Sequence, residues 1–90
     1  FIVVPGGIGT VLELVMVWQL LQVKHLYDTP LILVGKMWAE LVDWANQHLL
    51  SSDPPFVNPA DLQIPVCVDT VEEALDFIKI HAKSRIEAVI

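Results

Sequence analysis

Phe1-Ile2-Val3-Val4-Pro5-Gly6-Gly7-Ile8-Gly9-Thr10-Val11-Leu12-Glu13 opens the chain, and its reading decides the fold. Residues 1–4 form an unbroken β-branched and aromatic run, as expected of a parallel strand covered on both faces. Pro5-Gly6-Gly7 stops that strand, and from Thr10 to about Val23 neither Gly nor Pro interrupts. Thr10 and Glu13 have the spacing of a capping box, which predicts a helix starting at Thr10. A strand that ends in a glycine-rich turn and feeds a helix aims several unpaired backbone N–H groups, and the positive end of the helix dipole, at one spot. An anion fits there. Gly6, Gly7 and Gly9 can take φ > 0 and let a phosphate approach the backbone, while the Thr10 hydroxyl can cap the helix or bond a phosphate oxygen.

Two other glycine motifs fail on spacing. A G-x-G-x-x-G pattern starting at Gly7 and Gly9 meets Leu12 where its third glycine belongs, which speaks against the usual dinucleotide fold. A P-loop needs Gly-Lys-Ser/Thr after a first glycine, and Gly35-Lys36-Met37 lacks both the hydroxyl residue and that glycine.

Beyond the turn, Val11, Leu12, Leu14 to Trp18, Leu20 and Leu21 leave the first helix almost no polar face, so it must be covered on more than one side. Lys24 to Thr29 reads as a polar connection, and Pro30 to Val34 as a second buried strand ended by Gly35. Met37 to Leu50 returns to helical spacing, with Trp38, Leu41, Val42, Ala45 and Leu49 on one side and Trp44 near the edge of that stripe. Ser51 to Asp61 is proline-rich and reads as a loop. Ile64 to Val68 is a third strand whose Pro65 suits a strand start or an edge. Thr70 with Glu73 repeats the capping-box spacing before a last helix, carried by Val71, Ala74, Leu75, Ile78 and Ala82, and Ser84 to Ile90 is expected to fray. The order β-α-β-α-β-α calls for parallel strands with right-handed crossovers, an α/β Rossmann-like sheet with flanking helices. The chain, 1–90, reads as the C-terminal part of one such nucleotide-binding domain, since it opens without Met inside a strand that should be buried.

Composition narrows the partners. The net charge is −6 with only five Lys plus Arg, no footprint for polymeric nucleic acid or an anionic membrane. Each apolar run stops short of a bilayer span. With 54% hydrophobic residues, some surface should meet a partner. The one cysteine, Cys67, fits a reducing cytoplasm and reads as core filler. His25, His48 and His81 share no ligand spacing, so neither a metal site nor a cofactor is expected. Lys36 follows the second strand, where ligands of open α/β sheets gather, but a single loop lysine reads as solvated.

From Pro5 to Glu13 the chain reads P-G-G-x-G-T-x-x-E, which resembles the signature of the LOG family of nucleoside 5′-monophosphate phosphoribohydrolases, often labelled lysine decarboxylases. The resemblance continues through Trp18 and Gln22, the strand at Pro30 to Val34, and Asp69-Thr70-Val71-Glu72-Glu73-Ala74. It implies cleavage of the N-glycosidic bond of an adenosine 5′-monophosphate, N6-isoprenoid forms included, to free base and ribose 5-phosphate. It places the phosphate on Gly6, Gly7, Ile8, Gly9 and Thr10 and makes Glu13 the catalytic carboxylate. A fixed carboxylate suits that reaction, because leaving of the base builds positive charge on the ribose. The resemblance further implies a homodimer or higher oligomer across the first helix. The arginine such proteins use lies upstream of the strand, whereas the one arginine here, Arg85, is at the far end. Many members have Glu-Glu where this chain has Leu12-Glu13, and a Thr-Trp pair where it has Gln19-Leu20. The alternative is a binding protein without chemistry, such as the molybdenum-cofactor carriers of similar fold.

Overall fold

The computed structural model describes residues 1–24 and 29–89, with side chains described as far as His81. The expected connection at Lys24 to Thr29, with His25, falls largely outside these residues. Three strands, β1 (Ile2–Val3), β2 (Leu31–Val34) and β3 (Pro65–Val68), alternate with three helices, α1 (Ile8–Gln22), α2 (Lys36–Ala45) and α3 (Val71–Val89). They form one parallel sheet in the order β1-β2-β3, with Ile2 opposite Ile32 and Leu33 opposite Cys67. This is the Rossmann-like α/β arrangement that the alternation of periods predicts.

All four residues of β2 are buried, as a central strand covered on both faces requires. Successive side chains point to opposite faces, and the two cores follow that alternation. Leu31 and Leu33 pack with Leu14 of α1 and Trp38 of α2, while Ile32 and Val34 pack with Ala74 of α3. Both crossovers run in the same direction along the sheet, so right-handedness puts α1 and α2 on one face. The last helix covers the other.

Two local features depart from expectation. The helix α2 continues into one π-helical turn, Asn46–Leu50, and the proline-rich loop ends in a 3₁₀ turn, Pro59–Gln63. Asp61 anchors that turn: its Oδ2 accepts the Asn58 N–H at 2.9 Å and Gln22 Nε2 at 3.1 Å, and its carbonyl accepts Trp18 Nε1 at 2.8 Å. Trp18 and Gln22 thus tie the loop to α1. Helix α3 extends past Ser84 to Val89.

Cys67 is not core filler. It lies exposed on edge strand β3, where partial burial of the thiol, and then the charge of Asp43, raise its pKa. The other face of α1 stays uncovered: Leu12 is 60% exposed, and Ile8, Val15 and Met16 are also open. No helix among the described residues is long and apolar enough to cross a membrane.

Candidate functional site

The turn between β1 and α1 brings the motif together, though not in the expected conformation. The helix starts at Ile8, two residues before Thr10, with Gly7 as its N-cap in extended geometry (φ −98°, ψ −155°). The Gly7 carbonyl accepts the Val11 N–H at 3.0 Å, the first bond of the helix. The N–H groups of Gly7, Ile8, Gly9 and Thr10 are therefore the four donors that a helix start leaves without an intrahelical acceptor. No side chain caps them, and the first turn holds no acidic residue. Four adjacent residues of the expected phosphate cradle thus form one open donor cluster.

Among the described glycines only Gly35 has a positive φ, so Gly6, Gly7 and Gly9 are not needed for left-handed backbone. Gly6 is needed for room. A Cβ built there would collide with the Thr10 hydroxyl and lie 2.8 Å from Thr10 Cβ. The Thr10 side chain is folded back over Gly6. Gly7 and Gly9 face open space, where a ligand can reach the backbone.

The capping box between Thr10 and Glu13 is also absent, since neither residue is at the helix start. Glu13 lies one turn into α1, three residues and about 4.5 Å of rise beyond Thr10 on the same side. Both line a groove of about 500 Å³ bounded by residues 1–4 on one side and by Thr10, Glu13, Met16 and Leu20 on the other. The volume falls in the range of small-molecule sites, and the walls are apolar apart from the threonine and glutamate. Glu13 is exposed there.

A second cleft of about 350 Å³, walled by Trp18, Trp44, Leu49 and Asp61, carries none of the motif residues. Trp44 is half exposed against His48, with ring centroids 5.4 Å apart, whereas Trp38 is buried in the core. Among the described residues no group of three or more His, Cys, Asp or Glu side chains is placed to hold a metal ion.

A family model described as possible lysine decarboxylase matches residues 1–78, which takes in the turn, the groove and all three strands. No curated protein matches the chain significantly.

Proposed function

Because this chain belongs to the possible lysine decarboxylase family, the LOG-like family whose motif it carries, we propose that the protein hydrolyses the N-glycosidic bond of a nucleoside 5′-monophosphate. The substrate class is adenosine 5′-monophosphate and its N6-modified forms, cytokinin precursors among them, and the reaction takes place in the cytoplasm. The phosphate sits on the open N–H groups of Gly7, Ile8, Gly9 and Thr10, with Gly6 giving the Thr10 side chain its room and the Thr10 hydroxyl beside the phosphate oxygens. The ribose then lies in the groove beside Glu13.

In the reaction the C1′–N9 bond breaks and its electron pair stays with the purine. Water bonds to C1′, and its proton ends on the base. Glu13 stabilises the positive charge developing on the ribose and accepts the proton from the attacking water. One observation carries this reading above all: Glu13 is free of the cap that would otherwise explain it, and it shares a groove with Thr10.

The decarboxylase wording of the family description implies pyridoxal phosphate, which needs a lysine held in a desolvated pocket to form its Schiff base. Among the described side chains Lys24, Lys36 and Lys79 are all exposed. These residues do not fit that cofactor, and the reading invokes none. The uncovered face of α1 is read as the surface on which a second copy docks.

Chromatography of full-length protein incubated with AMP and with N6-isopentenyl-AMP tests the activity. Release of the free base is expected. No release from any nucleoside monophosphate contradicts it.

A further inference from the structure

The sheet brings a second turn against the first. In the parallel pairing, Ile2 lies opposite Ile32 and Val3 opposite Leu33, so the ends of β1 and β2 come out side by side. They touch: Gly35, in left-handed backbone at φ 115°, approaches Pro5 so closely that a Cβ on it would lie 3.1 Å from the proline Cγ. The residue after Gly35 is Lys36, the first of α2.

That lysine is badly placed for the helix it begins. A cation in the first turn opposes the helix dipole, and α2 has no acidic residue there to offset it. α1 has none either, whereas the first turn of α3 carries Glu72 and Glu73. The positive helix end is therefore neutralised at α3 and left positive at the two neighbouring turns. Lys36 is also loosely held, with 89% of its side chain exposed and one ion pair to Glu40 at 3.7 Å. Lys24 lies past the other end of α1, and Lys79 lies two turns down α3. Among the described residues, Lys36 is thus the one lysine or arginine at the strand ends where the motif sits.

We propose that Lys36 is a further phosphate-binding residue, which leaves Glu40 and swings over the Pro5–Gly35 contact to pair with the 5′-phosphate of the nucleotide. This rests on the nucleotide reading of the motif. It adds a charge to a cradle otherwise made of neutral backbone donors and one hydroxyl, and it makes affinity depend on the phosphate as well as the base. A local rule broken at α2 is then a functional feature of the neighbouring turn.

Calorimetric titration of full-length protein with AMP, inorganic phosphate and adenosine tests the proposal. Lys36→Gln is expected to weaken AMP and phosphate roughly tenfold, to leave adenosine unchanged, and to flatten the salt dependence of AMP binding. Lys36→Arg retains most of the affinity, and Lys24→Gln retains all of it. The melting temperature of ligand-free Lys36→Gln stays level or rises, as a cation has left a helix start. AMP binding as tight in Lys36→Gln as in wild type overturns the role of Lys36 and leaves the nucleotide reading standing. Equal losses for AMP and adenosine, or an equal loss in Lys24→Gln or Lys36→Arg, overturn it as well. A wild-type protein that binds neither AMP nor phosphate overturns both readings together.

Discussion

Gly6 has no side chain because Thr10 occupies the space that one would need. Gly6→Ala should therefore cost about 1–3 kcal/mol and weaken phosphate binding, as the helix start shifts to relieve the collision. Adding Thr10→Ala removes the hydroxyl and methyl but leaves Thr10 Cβ 2.8 Å away, so rescue of stability in the double variant is partial. Thermal unfolding of the single and double variants checks this, and a fully stable Gly6→Ala would refute the packing argument. Glu13 makes the opposite prediction. It caps nothing, so Glu13→Gln should change stability by no more than about 0.5 kcal/mol. If it is the catalytic carboxylate proposed above, Glu13→Gln should nevertheless lower kcat by roughly 10² to 10⁴ with AMP affinity retained, in steady-state assays beside binding titrations. At this scale the residue types of the site were legible, since a glycine-rich turn followed by Thr and Glu is written in the sequence. Their conformations were not. A glycine reads alike whether it is needed for positive φ or for room, and only the fold shows that Gly6 needs room. Cys67 departs from its sequence reading for a similar reason: a small apolar residue in a strand reads as core, but in this sheet β3 is an edge and the thiol is exposed.

The same spacing, Thr-x-x-Glu, occurs at the front of two helices and has two outcomes. At α3, Thr70 directly precedes the helix, and the Glu73 N–H donates to its Oγ1 at 3.2 Å. At α1 the chain turns earlier, the Gly7 carbonyl starts the helix, and by Thr10 no cap is needed. Spacing shows which residues could pair, while the position of the turn decides whether they do. The 3₁₀ turn at Pro59–Gln63 was illegible for a related reason, being held to α1 by tertiary hydrogen bonds such as Trp18 Nε1 to Asp61 O. The apolar periphery of α1 was legible and has a consequence. Ile8 and Leu12 are 86% and 60% exposed four residues apart, continued by Val15, a stripe that favours burial against another chain. We expect full-length protein to be a dimer at micromolar concentration by light scattering, and Leu12→Glu to shift it toward monomer without loss of helix content. A stable wild-type monomer would count against that role for the stripe.

For the whole molecule, the parallel sheet was legible because β2 is apolar at every position and helices separate it from both neighbours, while the strand order β1-β2-β3 comes from the structure. The groove was not, because it arises where α1 passes over β1, and no stretch of sequence encodes that crossing. On the proposed reading the phosphate sits at one end of α1 with Glu13 a turn further along, which orders the substrate as phosphate, then ribose, then base. This placement also makes the chemistry distinguishable from that of a phosphatase acting on the same nucleotide. Hydrolysis of AMP by full-length protein in ¹⁸O-labelled water, followed by mass spectrometry of the products, reads out which bond is cut. Adenine with ¹⁸O on C1 of ribose 5-phosphate is the outcome expected of attack beside Glu13, whereas ¹⁸O in inorganic phosphate beside free adenosine, or no turnover, would contradict it.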